Sequence, residues 1–207
     1  MTTFNPPSEQ SLEFLKPYRV ADELFALHSG EQILIPKYAP TFKQWLGVPL
    51  NETFGGKTVL DIDGRPMFAE LAIMHLFIRA GWQARWVETY AKSKIAPIFL
   101  SEWKDDKYKN QLADPITNEK VLGCLSDIAA INKNNFGGCW DVVAWKDDSI
   151  IFAESKRRKH DRIKETQINW LTAALAFGLK PQNFALIEWT VSKILNPPVD
   201  TAGLGRT

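Results

Sequence analysis

The first half of the chain alternates between apolar runs and turn-forming residues. Residues 11–27 have helical spacing with a break expected at Pro17, and residues 34–56 contain prolines and glycines that predict loops with short strands. Residues 67–79 are apolar on nearly every side, which predicts a buried helix. Residues 82–90 have the composition of a strand.

The second half contains a predicted hairpin, a helix and a final strand. Residues 92–135 are charged and irregular, so we expect an insertion there. The runs 140–145 and 150–156 are β-rich and are separated by four polar residues, 161–177 have the pattern of a helix ended by glycine, and 183–191 resemble a strand. This order predicts an α/β fold with a mixed β-sheet flanked by helices.

Composition narrows the class of protein. The chain has 207 residues, 45% of them hydrophobic, which suits one globular domain with a full core. Its formal net charge is +1, so only local charge clusters could indicate nucleic-acid binding. No apolar run reaches the ~18 residues that span a bilayer, and the N-terminus lacks a signal-peptide pattern. We expect a cytoplasmic protein with no membrane association, in which Cys124 and Cys139 are reduced thiols.

The register of the predicted hairpin follows from its loop. A two-residue loop at Asp147 and Asp148 and a four-residue loop centred on the same pair give the same strand pairing. Either one places Asp141 directly opposite Glu154, with Cβ atoms ~5 Å apart. Lys156 lies two residues beyond Glu154, so it shares the same face about 7 Å along the strand. The three charged side chains are therefore expected to cluster.

Both faces of this hairpin are otherwise apolar, which is typical of buried strands. The face of the charged cluster also holds Val143, Trp145, Ile150 and Phe152, and the other face holds Val142, Ala144, Ile151 and Ala153. Two opposed carboxylates repel by roughly 3 kcal/mol at an effective dielectric constant near 20. A divalent cation such as Mg²⁺, which binds one or two carboxylates together with phosphate oxygens, would offset that repulsion.

Lys156 has two interpretations. A phosphodiesterase must orient or deprotonate the attacking water and stabilise the charged transition state, and a cation beside the metal can do either. Alternatively, Lys156 forms an ion pair with Glu154 or Asp141 at the strand end. The residues alone leave both interpretations open.

The order of Asp141, a short hairpin and Glu154-Ser155-Lys156 resembles the PD-(D/E)XK nuclease superfamily. Residues 161–171, which read Asp-Arg-Ile-Lys-Glu-Thr-Gln-Ile-Asn-Trp-Leu, are similar to the helix after the catalytic lysine in the VRR-NUC branch. The similarity is specific over 138–171, and the proline of the motif's name is absent. It implies a restriction-endonuclease-like core and a metal-dependent nuclease.

The resemblance also implies roles for individual residues. Asp141, Glu154 and Lys156 would be catalytic. One or two Mg²⁺ ions, for which Mn²⁺ could substitute, would be held by Glu70, Asp141, Glu154 and the carbonyl of Ser155. Glu70 is the acidic residue on the first core helix, although a helix dipole also favours a glutamate in the first turn. The reserve ligands are Asp61, Asp63 and Asp127.

Gln167 is the polar member of an apolar helical stripe. The stripe consists of Ile163, Gln167, Trp170, Leu171 and Ala174. A buried amide needs hydrogen-bond partners. By the resemblance, Gln167 would reach the metal site or the nucleic-acid backbone, and the alternative is a local hydrogen bond in the core.

The strongest cluster of positive charge directly follows the predicted catalytic strand. It runs from Lys156 to His160 and continues with Arg162 and Lys164. A basic run is usually a solvated loop, but at this place it would form a rim for phosphates. The expected contacts to nucleic acid come from Arg157, Arg158, Lys159, Arg162 and Gln167. His160 could serve as a general base, although a lone histidine in a basic loop usually does not.

Two other chemistries are set aside. Residues 51–58 end in Gly-Lys-Thr, but Asn51 replaces the first glycine of a P-loop and a strand-like run follows instead of a helix. His28, His75 and His160 lie in no motif of a serine or cysteine nucleophile.

The sequence thus predicts a nuclease that acts on nucleic acid, with DNA expected rather than RNA as its substrate, and that could form a homodimer. We expect an N-terminal extension over 1–66, a core over 67–195 with the insertion at 92–135, and a tail over 196–207. The alternative is a catalytically silent nuclease-like fold that binds nucleic acid or a protein partner.

Overall fold

The computed structural model describes residues 4–89 and 96–192. Its elements are β1 (Glu23–Ala26), β2 (Gln32–Ile35), β3 (Lys37–Tyr38), β4 (Thr41–Gln44), β5 (Leu60–Ile62), β6 (Arg65–Met67), α1 (Ala69–Arg79), β7 (Gln83–Glu88), β8 (Ile98–Leu100), α2 (Glu119–Ile131), β9 (Val142–Lys146), β10 (Ser149–Arg157), α3 (Glu165–Phe177) and β11 (Phe184–Ser192). Short 3₁₀ helices cover Gln10–Tyr18, Tyr108–Asn110 and Pro181–Asn183. The predicted tail from residue 196 lies outside the described residues.

Within these two ranges, one nine-stranded mixed sheet organises the fold. Its order is β6-β5-β4-β11-β10-β9-β7-β8, and β3 also pairs with β11. β10 and β11 are parallel and are joined through α3, whereas β9 and β10 form an antiparallel hairpin. One face of the sheet packs against α2 and α3, and the other against α1. The predicted α/β class, with a mixed sheet flanked by helices, is confirmed.

The hairpin has the predicted register. Lys146 pairs with Ser149 across the two-residue turn, and the pairing continues without a slip to Val142 and Ala153. Asp147 takes a positive φ of 51° in that turn. The apolar residues on the face of Glu154 belong to the core beneath α2 and α3, and those on the opposite face belong to the core beneath α1, as predicted.

The predicted helix over 11–27 is only partly correct. A 3₁₀ helix, which includes Pro17, covers Gln10–Tyr18. The following residues form β1, which pairs with β2 in a separate two-stranded sheet. Pairing between strands outweighs the local helical spacing here, because packing decides the state of such short segments.

The prediction of irregular structure over 92–135 is wrong for much of that segment. β8 extends the main sheet beside β7, and α2 runs for 13 residues. The start of α2 is capped by Asn118, whose side chain accepts a hydrogen bond from the N–H of Val121 at 3.1 Å. The buried residues of α2 include Val121, Cys124, Leu125 and Ile128, which follow helical spacing.

The other predicted elements are present with shifted ends. α1, β7 and β11 lie where a buried helix and two strands were expected. α3 begins four residues later than predicted, because the carboxylate of Asp161 accepts a hydrogen bond from the N–H of Arg157 and closes a turn. Gly178 ends α3 with a φ of 114°. No helix in the described ranges is both long and apolar enough to cross a membrane.

Candidate active site

A cleft of about 530 Å³ opens where β10 passes the start of α3 and the first turn of α1. It brings together most of the residues that the sequence nominated. Those lining it are Glu70, Asp141, Glu154, Ser155, Lys156, Arg162 and Gln167. His160 and Lys164 of the basic loop line it as well.

Glu154 is the buried centre of this cleft. Glu154 is 0% exposed to solvent. Its Oε1 accepts hydrogen bonds from Nζ of Lys156 and from Nε2 of Gln167, each at 2.5 Å. Its Oε2 is buried and has no hydrogen-bond partner among the described residues. Among the described residues, one oxygen of this carboxylate therefore has two donors, and the other has no N–H or hydroxyl donor.

Asp141 follows the buried Trp140 and precedes β9 by one residue, just beyond the last paired residues of the hairpin. Its Oδ2 accepts a hydrogen bond from the N–H of Ser155 at 2.9 Å, and its carbonyl accepts one from the N–H of Val87 at 2.7 Å. These bonds to β10 and β7 fix the backbone and the carboxylate of Asp141 beside Glu154.

The charge of Asp141 affects the pKa values of two neighbouring glutamates, Glu154 and Glu70. Burial raises the pKa of Glu154 well above its usual value, the charge of Asp141 raises it further, and Lys156 opposes both effects. Burial likewise raises the pKa of Glu70, which Lys57 opposes and Asp141 reinforces. Asp141 is thus the electrostatic neighbour of both glutamates.

Lys57 lines this cleft although the sequence did not nominate it. Its ammonium forms an ion pair with Oε1 of Glu70. Burial acts to lower the pKa of Lys57, but the charges of Glu70 and Asp141 outweigh it and the pKa is raised. β5 follows Lys57, as expected when the P-loop was rejected. The two glycines before Lys57 indicated a turn in the sequence, but they did not indicate that Lys57 lies beside Glu70.

Gln167 makes both a contact with the candidate site and a local hydrogen bond, which the sequence had left as alternatives. Its Nε2 reaches Glu154, and its Oε1 accepts a hydrogen bond from the N–H of Lys164 at 2.8 Å at the start of α3. Its side chain therefore touches the candidate site and also caps its own helix.

The basic residues that follow Lys156 are of two kinds: Arg157 is held by contacts within the protein, whereas Arg158, Lys159 and Arg162 are exposed. The guanidinium of Arg157 donates to Oγ1 of Thr58 at 2.8 Å and lies 5.8 Å from the ring centre of Trp189, on the opposite side of β10 from Lys156. Arg158 is exposed and lies 3.7 Å from a carboxylate oxygen of Glu188. Lys159 and Arg162 are exposed.

The reserve carboxylates make other contacts. Asp61 accepts a hydrogen bond from the N–H of Gly64, Asp63 pairs with Arg79, and Asp127 is exposed on α2. None of the three is among the residues that line the cleft.

The fold and the site define an α/β protein in which a buried glutamate, a half-buried aspartate and two lysines lie together beside β10 of a mixed sheet. Within 4–89 and 96–192, no group of three or more His, Cys, Asp and Glu side chains has the geometry to hold a metal ion. Comparison of the chain with protein-family models, curated proteins and solved structures found no match.

Proposed function

We propose that this chain is a metal-dependent nuclease that hydrolyses phosphodiester bonds of nucleic acid on a restriction-endonuclease-like core, with DNA expected rather than RNA as the substrate. The observation that carries the proposal is Oε2 of Glu154. It belongs to a fully buried carboxylate in contact with Asp141, and no N–H or hydroxyl donor among the described residues reaches it. Burial disfavours the charged form of this carboxylate, so a cation is a partner that would stabilise deprotonated Glu154 at this position.

The donor set suits Mg²⁺, with Mn²⁺ as a substitute. Mg²⁺ binds through one or two carboxylates and completes its coordination with water and phosphate oxygens, so Asp141 and Glu154 suffice. The carbonyl of Ser155 would add a third oxygen, and Glu70 adjoins the pair through its interaction with Asp141. When bound, such an ion supplies a Lewis acid for the phosphate and a more acidic water.

The surrounding residues have complementary roles. Lys156 Nζ lines the cleft next to Glu154, where it can orient the attacking water and offset the charge that develops on the phosphate. Gln167 holds Glu154 in place from α3. Arg162 is exposed and lines the cleft, and the exposed Arg158 and Lys159 precede it in the same loop, so these residues can contact phosphates of the bound strand.

The experiment is cleavage of a panel of labelled single- and double-stranded DNA and RNA in Mg²⁺, Mn²⁺ or EDTA. We expect cleavage with either ion, none in EDTA, and a loss of at least about 10²-fold in Glu154→Gln and in Lys156→Met. Lys180→Met is the matched control, because Lys180 is exposed and precedes the opposite end of β11. Gel filtration of the same samples tests the homodimer.

The second candidate is a binding module without catalysis. The direct contact of Lys156 with Glu154 favours it, because a lysine that neutralises a buried glutamate needs no substrate to explain it. If no substrate is cut and Glu154→Ala binds nucleic acid as tightly as the wild type, the module is the correct function.

A further inference from the structure

Lys57 lies between the proposed metal site and a second cavity. Its backbone N–H donates to the carbonyl of Thr53 at 2.9 Å, which fixes the turn that carries it. Its ammonium pairs with Glu70 and lies 5.2 Å from the ring centre of Trp86 and 5.6 Å from that of Phe54. The side chain keeps 30% of its surface exposed, whereas that of Glu70 keeps 11%. The backbone is thus held, and the head of the lysine still reaches solvent.

The second cavity has a volume of about 250 Å³ and adjoins the cleft, with which it shares several lining residues. Its charged lining residues are Lys57, Glu70, Arg157 and Asp161, and the imidazole of His160 also lines it. The carboxylate of Asp161 already accepts a hydrogen bond from the N–H of Arg157. While Lys57 pairs with Glu70, the two cations and two carboxylates balance. If another cation neutralised Glu70, Lys57 and Arg157 would leave the cavity positively charged.

We propose that Lys57 is an exchangeable counter-ion, which neutralises Glu70 until a divalent cation binds there and then binds a substrate phosphate in this cavity. The inference rests on the proposed nuclease function and adds a second phosphate subsite to it. A lysine suits this exchange because its charge is compact and its four-carbon stem is flexible. Thr58 and Arg157, which are joined by a hydrogen bond, border the same cavity and would complete the subsite.

If Lys57 is exchanged in this way, its replacement should strengthen the binding of a divalent cation and weaken the binding of nucleic acid. Lys57→Met keeps the apolar stem but removes the charge. Its affinity for Mn²⁺, measured by titration calorimetry without substrate, should rise about tenfold, because the ion no longer displaces an ammonium. Its affinity for a labelled oligonucleotide in Ca²⁺, measured by fluorescence anisotropy, should fall about threefold. Lys180→Met should change neither affinity.

Glu70→Gln tests the exchange from the other side and does not leave a buried carboxylate unpaired. It should release Lys57 and raise the affinity for the oligonucleotide in EDTA about threefold. In this background Lys57→Met should not change Mn²⁺ affinity further, since the shared partner is gone. Unchanged oligonucleotide binding by Glu70→Gln would overturn the inference, even if Lys57→Met failed to fold.

The remaining outcomes separate this inference from the proposed function. If the wild type binds Mn²⁺ and cleaves nucleic acid, but Lys57→Met binds Mn²⁺ no more tightly, only the exchange is wrong. If the wild type neither binds Mn²⁺ nor cleaves any substrate, the nuclease function is wrong and the exchange with it.

Discussion

Gln167 donates a 2.5 Å hydrogen bond from Nε2 to Oε1 of Glu154, the same oxygen that accepts from Lys156. The amide oxygen of Gln167 accepts from the N–H of Lys164 and caps the first turn of α3. A single side chain therefore joins the start of a helix to the buried carboxylate of the candidate site.

Gln167→Glu separates these two contacts. A glutamate keeps the capping oxygen, because glutamate and glutamine serve equally at this helical position, but it loses the donor to Glu154. We expect the free energy of unfolding to fall by about 1–3 kcal/mol at about pH 8, and by less at about pH 5, where a protonated carboxyl can donate. Urea unfolding at both values measures the loss. Gln182→Glu, an exposed control, should change stability by less than about 0.5 kcal/mol.

Glu154 should make stability depend on pH. Burial and the charge of Asp141 hold its folded pKa above the ordinary 4.5, so the folded state binds this proton more tightly than the unfolded chain. The contribution of Glu154 to the free energy of unfolding is therefore most favourable below about pH 4.5. As pH rises, this contribution falls by up to ~1.4 kcal/mol per pH unit until the raised pKa is passed.

Glu154→Gln removes that titration. In EDTA, its unfolding free energy relative to the wild type should become more favourable as pH rises above about 5, until the raised pKa of Glu154 is passed. Urea unfolding across that range measures the difference. Parallel profiles of the two proteins would contradict a raised pKa of Glu154. Glu13→Gln, which alters an exposed ion pair with Lys16, is the control and should follow the wild type.

The hairpin could be predicted in detail because few registers were available to it. Strand periodicity is two, so a loop symmetric about Asp147 and Asp148 leaves one pairing, and buried apolar residues on both faces exclude a slip. The position of Gln167 followed from helical spacing in the same way. These predictions depended on residues close together in the chain.

Three features, namely the position of Lys57, helix α2 and strand β1, could not be predicted from the spacing of residues along the chain. Lys57 meets Glu70 only because β5 and β6 fold back before α1, so no motif nominated it. α2 went unrecognised because charged and irregular flanking residues obscured its apolar stripe, although Asn118 is a favoured cap. β1 was misassigned because its partner strand, rather than its own residues, determines its state.

The two parts of the basic loop should respond differently to substitution. Arg157→Met should lower the free energy of unfolding by about 1–2 kcal/mol, because Arg157 bonds Thr58 and lies over Trp189. Arg162→Met should leave stability nearly unchanged, because Arg162 is exposed. If Arg162 contacts a phosphate, its loss should reduce the salt dependence of oligonucleotide binding by about one unit of log–log slope. Urea unfolding and anisotropy titrations at several salt concentrations measure these effects. Equal stability losses in both variants would contradict the assignment.

Gly138 supports the approach of the hairpin to α3. Its φ is 88°, and a Cβ there would lie 2.0 Å from the carbonyl oxygen of Thr166, in the first turn that carries Gln167. Gly138→Ala must therefore shift α3 away from Glu154, and we expect it to lower the free energy of unfolding by about 3 kcal/mol. Gly123→Ala is the matched control, because Gly123 lies inside α2 with no atom within 4 Å of the added Cβ. It should raise the free energy of unfolding by about 0.5–1 kcal/mol. Urea unfolding of both variants tests the difference in sign, and a mild effect of Gly138→Ala would mean that α3 is not held against the hairpin at this point.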